Sequence, residues 1–365
     1  MEFPSVLLFL GLAVAAQALW QFYQWVALPS GVRKSLVLPK PKGTLPLLGN
    51  TLQTACRYEN IHDWFLEQRE LHGGRPVLAT MIDRPHQIAV MVPEFFEDIN
   101  KTHFDAFEKG PMFAEIMHDV LDDGIFAVDG DRWQHQRKTM SHLFSLRGLR
   151  DNFAKSAHTN AVKFYKFLED TIAKREHRWL NVGVEKELKD AGAVIDKTNR
   201  NANKDAVNKK KDIVSLFIDS FDCNNPNEVF DPVALRDMVV SILAAGRNST
   251  ASTLGWFFYR LSKHPDVEYK IRKELLEQAP ALMRGEVAAL SMEESQKLPY
   301  LEATLRKTLR LHPAVPVNIR HANRDVVLHD GTFVATGWNV IYLSYTMAHM
   351  ESVWGPDAKE FKPER

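Results

Sequence analysis

Two groups of polar side chains stand out for the chemistry their spacing allows. Trp133 and Arg137 lie four residues apart, behind Asp131, which suits the N-cap of a helix running to about Phe144. That spacing puts an indole and a guanidinium on one helix face, where both can touch a single ligand; the alternative is a core tryptophan beside a surface arginine. The second group, Arg247-Asn248-Ser249-Thr250, interrupts the centre of a long apolar stretch that starts at Asp231-Pro232 and stops at His264-Pro265. About 30 residues of helix make a rod of roughly 45 Å. Met238 to Ala245 and Leu254 to Phe258 are apolar on nearly every side, so the rod is expected to run through the middle of the protein. An unpaired polar group buried there costs about 1–3 kcal/mol, so the midpoint must find partners or a ligand.

Composition narrows the chemistry further. The 365 residues are 45% hydrophobic and 25% charged, enough for a substantial core. Lys+Arg and Asp+Glu both number 46, which gives bulk electrostatics no reason to recruit a nucleic acid. Cys56 and Cys223 are the only cysteines, too few for a disulfide framework and suited to a reducing, cytosol-facing location. No CxxC, CxxH or HExxH spacing occurs, so no structural metal site is expected. The polar run from Asn199 to Lys211 is read as a solvated helix end or loop.

The elements that position these residues begin with a membrane anchor. From Phe3 to Val32 there is no Asp, Glu, Lys or Arg, which is long enough to span a bilayer, and Trp20, Tyr23 and Trp25 form an interfacial belt. Arg33, Lys34, Lys40 and Lys42 follow, placing the rest in the cytosol by the positive-inside bias. The organisation expected is an anchor over 1–30, a Pro/Gly-rich connector over 31–50 and one domain over 51–365. Within it, Ile61 to His72 reads as an amphipathic helix and Val77 to Val92 as a hairpin turning at Asp83-Arg84-Pro85-His86. Leu149 to Lys174 reads as another helix. Pro299 opens a helix that ends at His312-Pro313, and strands are expected at Val326–Leu328, Phe333–Ala335 and Val340–Leu343. The fold class is mainly α with a small β-sheet.

Several segments, in order, resemble the cytochrome P450 family of haem-thiolate monooxygenases. They include Leu298-Pro299-Tyr300-Leu301-Glu302, Leu309-Arg310-Leu311-His312-Pro313 and Phe361-Lys362-Pro363-Glu364-Arg365. Phe107-Glu108-Lys109-Gly110, Asp123-Gly124-Ile125-Phe126, Ala245-Gly246-Arg247, Trp256-Phe257-Phe258 and Met350 to Gly355 are similar to its fatty-acid and alkane ω-hydroxylase branch. The resemblance implies a haem cofactor, an electron-donating reductase, a fatty-acid substrate and an endoplasmic-reticulum membrane location. It places Trp133, Arg137 and Arg320 on haem propionates, Ala245 and Gly246 where the porphyrin nears the backbone, and Asn248 and Ser249 in the proton relay.

The resemblance also exposes departures. Asn248 stands where the family has an acid; an amide cannot titrate, while Ser249 keeps a hydroxyl. Lys307 stands where an acid pairs with Arg310 and Arg365, so three cations are expected to meet, at about 3–5 kcal/mol for an ionic network without its acid. Glu302 and Arg306 are expected to form a surface pair instead. The thiolate-bearing loop is expected beyond Arg365, and the short interval from Trp133 to Gly246 implies a missing internal segment. The P450-like fold is therefore expected to be incomplete and the chain alone inactive. The reading from a different class is a membrane-anchored, non-enzymatic remnant or interaction protein.

Overall fold

The computed structural model describes residues 30–143, 162–163 and 232–365. The expected anchor and most of the expected helix over 149–174 lie outside the described residues. Among the described residues, no helix is long and apolar enough to cross a membrane.

The helices and strands follow the sequence signals closely. The principal ones, in chain order and leaving out the short helices Pro93–Glu97, Pro280–Met283 and Met292–Ser295, are α1 (Ser30–Leu36), α2 (Thr51–Cys56), α3 (Ile61–Leu71), β1 (Val77–Ala79), β2 (Gln87–Val90), β3 (Phe107–Glu108), α4 (Gly110–Leu121) and α5 (Gly130–Leu143). Then come α6 (Pro232–Lys263), α7 (Pro265–Gln278), α8 (Pro299–Leu311), β4 (Asn318–Ala322), β5 (Val326–Val327), β6 (Phe333–Val334), β7 (Asn339–Tyr342), α9 (Ser344–Ala348) and α10 (Glu351–Trp354). Asp131 sits in the first turn of α5 rather than capping it, where its charge still favours the helix N-terminus.

Two compact units emerge. Among the described residues, the first comprises 30–130, 244–257 and 307–362. It holds a five-stranded sheet in the order β1-β2-β7-β4-β3, parallel only between β2 and β7. Leu78, Ile88, Val90, Val340 and Tyr342 project into one core cluster with Phe95, Ile99 and Phe107. The alternate residues Val77, Ala89, Met91, Ile341 and Leu343 join Trp64 and Phe65 of α3 in a second. Both faces are covered, which is why β2 and β7 read as continuous apolar runs rather than alternating ones. β5 and β6 form a separate two-stranded sheet.

The second unit comprises 131–143, 162–163, 232–243, 258–306 and 363–365 among the described residues. Here Glu274 of α7 accepts the Tyr300 and Leu301 amides at 2.7 and 2.9 Å, satisfying two of the N–H groups that the start of α8 leaves open. Glu364 accepts the Tyr300 hydroxyl at 2.9 Å and the Lys270 ammonium. Those bonds hold its carboxyl well down, at about 2, while burial and the same carboxylate push the Tyr300 phenol up. The expected surface pair Glu302–Arg306 forms at 2.6 Å between two exposed side chains.

The expectation that α6 is buried on all sides is corrected. Leu243, Trp256, Phe258 and Tyr259 are exposed, and so are Ala245, Gly246, Arg247 and Asn248. Apolar content on every face specifies a helix that can be covered, but not which neighbours cover it.

A titratable cluster packs against α3 and α9 in the first unit. The Tyr345 hydroxyl donates to Asp63 at 2.8 Å, and the His349 ring donates through Nδ1 to the Tyr345 carbonyl at 2.8 Å. Burial lowers the His349 pKa, the bond to Tyr345 opposes that, and the nearby Arg310 charge lowers it further. A histidine that titrates lower when folded contributes stability above its unfolded pKa and loses it as pH falls toward the folded value. Denaturant unfolding is therefore expected to show stability declining as pH falls below the ordinary histidine value of about 6.5, with a shallower slope in His349→Asn. An unchanged slope in that variant would remove His349 from the account.

Candidate functional site

The residues that the sequence singles out are distributed over both units. Trp133, half-buried, and Arg137, exposed, lie on one face of α5, in the second unit. His135, on the same helix, is exposed, as expected of a helix-surface residue. Ala245, Gly246, Asn248, Ser249 and Arg320 belong to the first.

The centre of α6 presents a low, open surface. A Cβ added to Gly246 would meet nothing within 4 Å, and Ala245 beside it is exposed. Such a surface fits a flat ligand lying against backbone. One turn on, the Ser249 hydroxyl donates to the Ala245 carbonyl at 2.6 Å, and the Thr253 hydroxyl repeats the pattern to Ser249 at 2.8 Å. The Ser249 oxygen still offers its lone pairs outward. Asn248 is exposed, so its amide can both donate and accept.

Arg320 sits on β4, a strand missed in the sequence, opposite Val340 of β7. Its guanidinium lies 5.9 Å from the Tyr342 ring centroid and donates to the Ile319 carbonyl at 3.1 Å. Lys109, to which sequence reasoning gave no role of its own, adds a second cation to this region. β3 pairs with β4 so that Glu108 faces His321, and Lys109 continues from there. Its ammonium donates to the Val128 carbonyl at 2.5 Å and pairs with Asp129 at 3.5 Å. Burial lowers its pKa, Asp129 offsets part of that, and the Arg320 charge lowers it again. Only the approach of two cations would have revealed this pairing, and long-range strand register does not show in local sequence.

The helix α8 carries the strongest departure. Lys307 is 4% exposed, and Arg310 follows one turn later. The Arg310 guanidinium donates to the Ala348 carbonyl and, at 2.7 Å, to the Ala358 carbonyl, and it stacks 4.7 Å from the Trp354 ring centroid. Trp354 is itself fixed by its indole N–H on the Met347 carbonyl at 3.2 Å. Carbonyl dipoles and an aromatic face thus engage Arg310 where an acid was expected to; Arg365, the third cation of the expected trio, belongs to the second unit.

An apolar cavity of about 240 Å³ lies between α3, α4 and the sheet. Trp64, Phe65, Met112, Ile116, Ile319 and Ile341 line it, and among the described residues Arg84 in the β1–β2 turn is the one charged residue on its wall. Among the described residues, no cluster of three or more His, Cys, Asp and Glu side chains could hold a metal, and Cys56 is an exposed free thiol at the end of α2. Cys223 lies outside the described residues.

These features define a mainly helical architecture with small sheets, and comparison with known proteins places it in a family. The cytochrome P450 family model matches residues 175–365. Cytochrome P450 94A2 of Vicia sativa is 29% identical over 407 residues, covering 90% of this chain and 75% of the relative. Cytochrome P450 86B1 of Arabidopsis thaliana is 30% identical over 385 residues, covering 84% and 68%. The crystal structure of the cytochrome P450 CYP102L1 superposes with a TM-score of 0.72 at 20% identity, over 90% of this chain and 82% of that one, a likeness of fold. The chain belongs to the cytochrome P450 family, whose cofactor is haem, whose electrons come from a reductase and whose substrates are lipophilic. The 407-position alignment is longer than the whole 365-residue chain, so the Vicia relative carries internal residues that have no counterpart here.

Arg310 supplies the test of the α8 departure. An acid at position 307 would face that guanidinium from one turn away, so Lys307→Glu is expected to stabilise the fold by about 1–2 kcal/mol. In a domain this large, that raises Tm by roughly 2–4 °C per kcal/mol. A lower Tm by calorimetry would mean that Lys307 is accommodated by its surroundings better than an acid is.

Proposed function

We propose that the protein is a membrane-anchored monooxygenase that hydroxylates fatty acids at an aliphatic carbon. The observation that carries the substrate assignment is the apolar cavity with a single guanidinium on its wall: a hydrocarbon chain suits Trp64, Phe65, Ile116 and Ile319, and a carboxylate suits Arg84. Haem, when bound, supplies the redox chemistry that places one atom of O2 into a C–H bond. Arg320 in the first unit would offer a propionate a charge-assisted hydrogen bond, Trp133 and Arg137 on α5 offer donors of the same kind, and Ala245 and Gly246 would keep the α6 surface low enough for the ring. Ser249 passes protons through its outward lone pairs, and Asn248 orients them without titrating.

The uncharged run Phe3–Val32, followed by Arg33 and Lys34 on α1, supports an anchor in the endoplasmic-reticulum membrane with the body in the cytosol. The burial of Lys307 favours one competing reading, an interaction protein without haem. Titration with haem separates the two, because a protein built without that pocket gives no saturable Soret absorbance.

Two measurements test the proposal. Arg84→Ala is expected to weaken dodecanoic acid binding roughly tenfold by calorimetry while leaving the alcohol of the same chain length nearly unaffected. Equal loss for both ligands would take the carboxylate away from Arg84. In an enzyme reconstituted with the thiolate-bearing loop that the resemblance expects beyond Arg365, Asn248→Asp is expected to raise the ratio of hydroxylated product to released peroxide, because a carboxyl group can give up the proton that an amide keeps. Unchanged coupling would remove residue 248 from the relay.

A further inference from the structure

The cavity between α3, α4 and the sheet carries one polar side chain that packing does not explain. Gln87 opens β2 and lines the cavity, yet it is only 3% exposed. A glutamine is seldom buried so fully, because both polar atoms of its amide must then be met. Among the described residues, no side chain or backbone group bonds to this amide. For packing alone a leucine would serve better, since an apolar group in its place carries no desolvation cost.

The strand register explains why the neighbours do not satisfy it. Gln87 stands between Ala79 of β1 and Asn339 of β7, and Asn339 stands opposite His321 of β4, so the four make one row across the sheet. Ala79 has no polar side-chain atom. Asn339, buried, is already committed: its Oδ1 meets the His321 ring at 3.0 Å, and its Nδ2 lies 3.9 Å from the Met112 sulfur. The Thr54 hydroxyl, also on the cavity wall, gives its proton to the Asn50 carbonyl at 3.0 Å. Because β2 is paired on both edges, Gln87 cannot withdraw from the wall without breaking a ladder.

Depth and hydrogen-bonding capacity identify what would meet the amide. Arg84 is exposed and Gln87 is buried, so the guanidinium marks the rim of the cavity and the amide its interior. Three residues separate them, a chain reach of at most about 10 Å, so a ligand that gives its carboxylate to Arg84 passes Gln87 with its first few carbons. An amide offers a donor and an acceptor together, and a hydroxyl answers both with one oxygen. A ketone or ether oxygen only accepts, which leaves Oε1 unmet, and a methylene meets neither atom.

We propose that Gln87 is a specificity-determining residue that reads a hydroxyl near the carboxyl end of the substrate, and that the fatty acids this cavity favours are 3-hydroxy acids. The inference rests on the fatty-acid reading above and narrows it. The Arg84 contact is common to plain and hydroxylated acids, whereas the Gln87 contact belongs to the hydroxylated acid alone. An apolar pocket with a few fixed polar groups selects its ligand by the groups left unpaired when the wrong one enters.

Calorimetric titration of the full chain with 3-hydroxydodecanoic acid and with dodecanoic acid tests this. The protein is expected to bind the hydroxy acid about tenfold more tightly. Gln87→Leu is expected to erase that preference while binding dodecanoic acid at least as well as before, and to raise Tm because the unpartnered amide is gone. Gln87→Met, unbranched like glutamine, repeats the measurement should leucine disturb the sheet. Arg84→Ala is expected to weaken both acids alike and to keep their ratio. If the two acids bind equally and Arg84→Ala weakens both, the hydroxyl assignment is overturned and the fatty-acid reading stands. A preference that survives in Gln87→Leu and Gln87→Met overturns Gln87 as its source. If neither acid binds, both readings fail.

Discussion

Two cations one helical turn apart, Lys307 and Arg310, constrain how the first unit closes. Arg310 cannot lose its charge, so its guanidinium must be met by acceptors wherever α8 packs. It finds them in the Ala348 and Ala358 carbonyls and in the Trp354 ring, all supplied by the segment after β7. That segment has to turn its carbonyls inward, which Gly355 permits by adopting φ +81°. The guanidinium thereby braces α8 against α9, α10 and the chain beyond. His349, between two of those acceptors, feels the same charge in its depressed pKa.

The five-stranded sheet is the other half of that arrangement. β7 is central, parallel to β2 and antiparallel to β4, and both its faces are packed. One face places Tyr342 under Arg320; the other gives Ile341 to the apolar cavity. A slip of one residue in this register would exchange those faces and separate the guanidinium from its ring. Cation placement and substrate-sized space therefore depend on the same strand pairings.

Local signals made much of this legible. Proline and N-cap chemistry bounded α6 and α8 nearly to the residue, and the Asp83 to His86 turn located the β1–β2 hairpin, because each depends on φ restrictions acting within a few residues. β4, which carries Arg320, was missed: Asn318-Ile319-Arg320-His321-Ala322 has little strand character and becomes a strand because β3 and β7 pair with it from far along the chain. The Trp133 and Arg137 face was readable from a spacing of four. The Ser249 back-bond, the Lys109 approach to Arg320 and the carbonyl cage around Arg310 were not, since each depends on side-chain direction and on partners that periodicity does not encode.

The two departures at Asn248 and Lys307 act in the same sense. Each removes a carboxylate from the first unit, one in favour of a neutral amide and the other of a cation. Near β4, Arg320 and Lys109 stand with the carboxylates of Asp129 and Glu108, which offset the Lys109 charge. An anionic ligand would meet Arg320 with opposite charge in a way that a neutral hydrocarbon cannot, because the attraction grows as the site dries.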